Sequence, residues 1–343
     1  MRKRIGMCAL AAAGLALMTA GCGGSSGSKS SKAAGNAPSG LKVALVTDSN
    51  QLNDHGFNHL AYVGMLRAQR TLGAQGRVFE SRSRAEYIPN LSAAARQGYD
   101  LVVGVGFDQA DAVDSVAVQF PKTHFAIVDV AQTDLKHKPA NVRGLLFKEQ
   151  ETGYLVGYLA GLEAKRLGAK TVGSVGGQKQ PPVDRFIAGY RAGARAADPS
   201  IKLLNGYSQD WVDQTKCKTV ALDQIREGSK VEFQVAGGCG LGTLDAAKEA
   251  HVWGIGVDAD QSFLGSHVLT SAVKRVDSAV YDTIESVHDG TFKGGNAVFG
   301  LSDDGVGLGR VSPKVPGSEV AKVRAVEKQI VSGKITPPTT FSG

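Results

Sequence analysis

A chain of 343 residues is long enough for two lobes of ordinary domain size. Its formal charge drops from +7 to +4 once the basic start, Arg2, Lys3 and Arg4, is set aside, and the remaining charges are mixed along the chain without a basic block. That distribution argues against nucleic-acid binding, and no later apolar run is long enough for a transmembrane helix.

The first forty residues belong to neither lobe. A basic opening, a mostly apolar run from Ile5 to Met18 and the sequence Thr19 to Cys22 resemble a bacterial lipoprotein signal spanning 1–21, with Cys22 as the lipidated first residue. Thr19 stands where such signals more often carry Leu, which keeps a plain secretory signal as the alternative. Residues 22–40, rich in Gly, Ser and Ala, read as a flexible tether. The expected location is the extracytoplasmic face of a bacterial cell membrane, with the lipid as the only membrane contact.

From Leu41 onward, short β-rich runs alternate with amphipathic helical stretches, the pattern of a parallel sheet with helices on both faces. Residues 41–145 form a first series: strands at Leu41 to Val46, Arg77 to Phe79, Tyr99 to Gly104, His124 to Val128 and Val142 to Phe147, with helices between them. Glu149 opens a Gly-rich apolar helix whose glycines permit close packing, and a second series fills 146–270. A helix at Asp277 to Val287 returns to the first lobe within 271–295. Residues 296–343 supply a Gly-rich hairpin over Phe299 to Val311 and a final helix near Glu319 to Val331, both packed on the lobes.

The stretch from Asp48 to Asn58, DSNQLNDHGFN, crowds acids, amides, a glycine and an aromatic where the first strand hands over to a helix. In an open α/β sheet that carboxyl edge is where ligands bind. Alternatively, Phe57 plugs the core while Asp48 and Asp54 cap the helix. Asp129 and Asp258 also end apolar runs, so three acids could converge on one cleft and accept hydrogen bonds from hydroxyl or amino groups. Gly237 to Gly242 mimics a dinucleotide fingerprint, but Thr243 stands where its last glycine belongs, so no cofactor is expected. His55 and His59 lack a third metal ligand. No nucleophile elbow or Ser/His/Asp set stands out, so no catalytic residue is assigned and the chain does not read as an enzyme. Cys8 falls in the signal and Cys22 would carry lipid; Cys217 and Cys239 form either one disulfide or two buried thiols.

DSNQLNDHGFN, FAIVD, PPVDRFIAGYRAGA, VAGGCGLGTLDAAKE, GIGVDADQ, TSAVKRVD and FGLSDDGVGL, in that order and spacing, resemble the basic membrane protein family. These are substrate-binding lipoproteins of ABC importers, exemplified by purine nucleoside receptors. The resemblance covers Leu41 to about Gly309 and implies an α/β fold of periplasmic-binding-protein type I: two Rossmann-like lobes with parallel sheets, joined by a multi-strand hinge. It also implies a site. Asp48 and Asn58 would hydrogen-bond the nucleoside, Phe57 and Phe186 would stack on its base from opposite lobes, and Asp129 would sit on the base side. Gly238 and Gly240 would line the cleft, and Asp258 with Lys274 would hold the ribose hydroxyls. Where the family often reads DDKSFN, this chain reads Asn53 to Asn58 as NDHGFN, which changes the rim but keeps the aromatic and the amide. The implied partners are a purine nucleoside and the permease and ATPase subunits of an importer, the receptor itself being a monomer. The same fold holding a flavin, sugar or signalling molecule, a nucleotide-dependent enzyme, and a structural surface antigen are the competing readings.

Overall fold

The computed structural model describes residues 40–342, so the signal, the lipidated Cys22 and nearly all of the tether lie outside the described residues. The chain begins with β1 (Lys42–Val46), α1 (Phe57–Leu72), β2 (Gln75–Phe79), α2 (Tyr87–Arg96), β3 (Leu101–Gly104), α3 (Ala110–Gln119), β4 (His124–Val128) and β5 (Val142–Phe147). It continues through α4 (Glu149–Arg166), β6 (Thr171–Gly176), α5 (Pro181–Ala197), β7 (Lys202–Leu203), β8 (Gly206–Tyr207), α6 (Gln214–Arg226), β9 (Val231–Val235), α7 (Gly240–Glu249), β10 (Trp253–Asp258) and β11 (Val268–Lys274). It ends with α8 (Val276–His288), β12 (Gly295–Phe299), β13 (Val306–Leu308) and α9 (Gly317–Val331).

Two sheets result. The first has the order β2-β1-β3-β4-β5-β12, and every pairing in it is parallel. The second runs β7-β6-β9-β10-β11-β13, with β8 also on β6, and only β13 is antiparallel. Strands covered on both faces read as continuous apolar runs. In β1, Val43 and Leu45 enter one core cluster with α1 and α8, while Ala44 and Val46 enter another with α2 and α3. The second sheet is sandwiched likewise, with α4, α5 and α9 on one side and α6 and α7 on the other.

The stretch expected to form a hairpin over Phe299 to Val311 does not. β12 pairs in parallel with β5 in the first sheet, and β13 pairs antiparallel with β11 in the second. Asp303 accepts the N–H of Gly300 at 2.7 Å and turns the chain between them, so the two strands serve different sheets. The chain thus passes between lobes at Lys148, at Arg275 and across 300–305. These crossings differ slightly from the boundaries read off the sequence. Leu146 and Phe147 still pair in the first sheet, and residues 271–274 complete β11 in the second before the chain returns.

The Gly-rich helix α4 crosses α5 at contact distance. Its Gly153 and Gly157 face the carbonyl oxygens of Phe186 and Tyr190, and Gly189 and Gly193 of α5 face Gln150 and Tyr154 in return. A Cβ at Gly157 would overlap the Tyr190 carbonyl. The approach seats the amino end of α5, and with it Phe186, beside the hinge. Gly157→Val is expected to lower unfolding free energy by about 3 kcal/mol through overpacking, measured by urea denaturation. Gly317→Ala, where nothing lies within 4 Å, should leave it unchanged.

Candidate functional site

In each sheet the strand order reverses beside the first strand, at β1/β3 and at β6/β9, and ligands bind outside the carboxyl ends of strands at such points. Here the two edges face one another across a cavity. Asp48, Phe57 and Asp129 line it from the first lobe; Phe186, Asp258 and Lys274 line it from the second.

The loop after β1 separates roles that its sequence left open. Asp54 accepts the N–H groups of Asn58 at 2.8 Å and His59 at 3.2 Å, so it satisfies the otherwise unpaired donors at the start of α1. Asp48 caps nothing; it faces the cavity and accepts Asn58 Nδ2 at 2.7 Å and the Asn50 N–H at 2.9 Å. Phe57 packs on the first-lobe core and also lines the cavity.

Lys274, buried at the end of β11, forms the floor. Its Nζ lies 2.6 Å from Asp129 Oδ1 and 3.0 Å from Glu149 Oε1, and Glu149 Oε2 accepts Arg185 Nε at 2.6 Å. The same Nζ sits 5.1 Å from the Phe57 ring centroid and 5.7 Å from that of Phe186, so the aromatics of both lobes flank one cation. Burial lowers the Lys274 pKa, but Asp129, Glu149 and Asp258 more than offset this and hold it above the usual lysine range. Burial pushes the Asp48 carboxyl up to about 7 and does the same to Asp258, which Lys274 only partly counteracts. Asp129 is also raised by burial against the pull of Lys274. Asp129 and Asp258 end equivalent strands and both adopt left-handed backbone conformations, φ 73° and 62°. An L-residue pays about 1–2 kcal/mol for that conformation, a strain that clusters at binding sites.

Three residues assigned to the cleft by resemblance do not line it. Asn58 is fully buried behind Asp48, where its Nδ2 bonds Asp48 and the Asn50 carbonyl. Gly240 opens α7 against the Gln234 side chain, and Gly238 donates its N–H to Asn50 Oδ1 at 3.1 Å. Of the glycines in this turn, Gly237 reaches the cavity. Cys217 of α6 and Cys239 are joined by a disulfide, Cα atoms 5.6 Å apart, which ties this glycine turn to the neighbouring helix. Asn50, Phe107, Gln180 and Trp211 also line the cavity and escaped the sequence reading. Two had a readable signal. Phe107 follows β3 as Asp48 follows β1, and Trp211 is one of two tryptophans, lying in a polar loop where Gly177 leaves room for its ring.

The family described as ABC transporter substrate-binding protein PnrA-like matches residues 41–340. The chain is 35% identical to the ABC transporter nucleoside-binding protein BmpA of Lactococcus lactis subsp. cremoris, over 99% of this chain and 100% of that protein. It is 36% identical to an uncharacterized lipoprotein of Pyrococcus horikoshii, over 78% of this chain and 68% of that one. Among solved structures, a solute-binding protein of an ABC transporter system from Aeropyrum pernix K1 superposes with a TM-score of 0.79 at 29% identity, covering 87% of this chain and 94% of that one. The fold is accordingly the two-lobed α/β architecture of periplasmic-binding-protein type.

Two outcomes follow from the buried charges. Lys274→Met strands Asp129 and leaves Glu149 with Arg185 alone, and should cost roughly 3–5 kcal/mol in denaturant unfolding; a loss near zero would mean the pairs hold nothing. Asp258 holds its proton more tightly folded than unfolded, so between its ordinary 3.8 and about 7 the folded chain binds more protons and stability falls as pH rises. Asp258→Asn should therefore melt higher than the parent above pH 7 without ligand, with the gap closing near pH 4. Parallel melting curves across that window would contradict the burial effect.

Proposed function

Because this chain belongs to the PnrA-like family of ABC transporter substrate-binding proteins, we propose that its interlobe cleft takes a purine nucleoside. The observation that carries this reading is the pairing of aromatic rings from opposite lobes, Phe57 and Phe186, with buried carboxylates on both sides. A flat heterocycle fits between ring faces, and stacking of this kind is worth about 1–3 kcal/mol per base in other base-binding sites. Asp258 and Asp48 are acceptors for the hydroxyl and amino hydrogens of a neutral ligand. Lys274 spends two of its three donors on Asp129 and Glu149, so it offers the ligand a single N–H.

The same electrostatics select against phosphate. Asp48, Asp129 and Asp258 outnumber Lys274 along the cavity wall, and Arg185 is engaged by Glu149 behind it. A phosphate ester would be buried against like charge without a free cation. The ligand is thus a nucleoside and not a nucleotide.

As a lipid-anchored receptor outside the membrane, the protein would close on its ligand because contacts to both lobes exist only in the closed arrangement. The closed pair of lobe surfaces then docks on the permease of an importer driven by its ATPase. The family name, the nucleoside-binding description of the Lactococcus relative and the lipoprotein description of the Pyrococcus relative all support this reading.

Calorimetry with guanosine, adenosine and inosine tests the assignment. Phe57→Ala and Asp258→Ala should each weaken binding about tenfold or more in a protein that stays folded, and the matching 5′-monophosphate should bind far more weakly than its nucleoside. Unchanged affinity in both variants, or equal binding of nucleoside and monophosphate, would reject the site.

A further inference from the structure

Two hydrogen bonds join the loop after β1 to the second lobe: Gln261 Nε2 donates to the His55 carbonyl at 3.3 Å, and the Asn50 side chain makes the other. Asn50 is 4% exposed and lines the cavity. Within the first lobe its N–H donates to Asp48 Oδ1 at 2.9 Å, its Nδ2 donates to Asp54 Oδ2 at 3.1 Å, and its carbonyl accepts from Asn58 Nδ2. Its remaining amide oxygen accepts the Gly238 N–H of the second lobe at 3.1 Å. The receiving turn is bare at that point. Gly237 has φ 55°, and a Cβ there would overlap Asn50 Nδ2.

A different bridge spans another part of the cleft. Asp108 Oδ1 accepts Gln180 Nε2 at 2.8 Å from the second lobe and Arg84 Nη2 at 2.8 Å from its own. Arg84 also reaches Gln178 Oε1 at 3.1 Å, but its side chain is 64% exposed, and solvent weakens such contacts. The Asn50 contact is better shielded, its side chain being almost wholly buried.

We propose that Asn50 is the closure latch of the receptor, a positioning residue that transmits occupancy at Asp48 to the docking of the second lobe on the first. Asp54 holds the side-chain amide and Asn58 the backbone carbonyl before closure, so little side-chain freedom is lost when Gly238 arrives. The latch forms whenever the lobes meet, and a ligand already inside must wait for it to break, so it governs the dissociation rate and leaves the association rate alone. Its N–H on Asp48 couples the two events: a ligand that pulls Asp48 away from its donors also shifts the amide that meets Gly238. This rests on the reading of the cleft as one that closes on a nucleoside.

The test pairs stopped-flow kinetics with interlobe distances. Spin labels at Val118→Cys in the first lobe and Leu167→Cys in the second, both half-exposed and far from the cleft, report the open and closed populations. Asn50→Ala should raise the open population and speed nucleoside release by about three- to tenfold, with association unchanged, through the loss of its one interlobe hydrogen bond. Gly237→Ala should do the same from the opposite lobe. In the Asn50→Ala background its effect should largely vanish, because truncating Asn50 makes room for the added methyl. Arg84→Ala should leave release unchanged.

Additive effects of Asn50→Ala and Gly237→Ala, a change confined to association, or unaltered distance distributions would each overturn the latch. If Asn50→Ala does not fold, Gly237→Ala alone still carries the distance and release measurements. If no purine nucleoside binds the parent protein, the reading of the ligand fails, while the label distances without ligand still decide the latch.

Discussion

The structure depends on a buried ionic knot at the hinge. Lys274 is the last residue of β11 before one crossing, and Glu149 is the first residue of α4 after another. Asp129 comes from the first lobe and Arg185 from α5 in the second. Their bonds therefore join two of the connecting segments to both lobes at the cavity floor. Desolvating such charges is expensive, and the arrangement persists because each carboxylate has a cation and each cation has a carboxylate. A fold built on a neutral apolar hinge would be easier to stabilise, but it would leave no fixed cation to balance acids turned toward the cavity.

Balance at the floor leaves the walls short of counter-charge. With Lys274 and Arg185 already engaged, Asp48 and Asp258 stand as carboxyls in low-dielectric surroundings without a full counter-charge, which is why both are raised to about 7. The cost is carried by the folded protein as reduced stability at neutral pH and as left-handed backbone at Asp129 and Asp258, a familiar exchange of stability for function.

The glycines of this chain act at different levels. In α4 and α5 they let two helix backbones touch, and this places Phe186. In the turn before α7, Gly237 bares the backbone where Asn50 enters from the other lobe, and the adjoining disulfide keeps that turn in register with α6. A pattern that resembles a dinucleotide fingerprint in sequence is, in the fold, the second lobe's half of an interlobe contact.

Much of this was legible before folding. Strand and helix alternation follows from local periodicity, and the acids that end β1, β4 and β10 are visible because a polar residue after a buried strand must face a sheet edge. Long-range pairing was not legible. Nothing local distinguishes a hairpin over Phe299 to Val311 from two strands that part to different sheets, since both need the same turn residues. Nor does spacing tell Asp48 from Asp54, one facing the cavity and one capping α1, or separate Gly237 in the cavity from Gly238 and Gly240 behind it. The sequence by itself determined which residues end strands and which faces are apolar, because those depend on periodicities of a few residues. Only the tertiary structure decided which polar groups satisfy one another and which remain for a ligand, because Lys274, Asp129 and Glu149 lie far apart along the chain and meet only when both lobes and the hinge are in place.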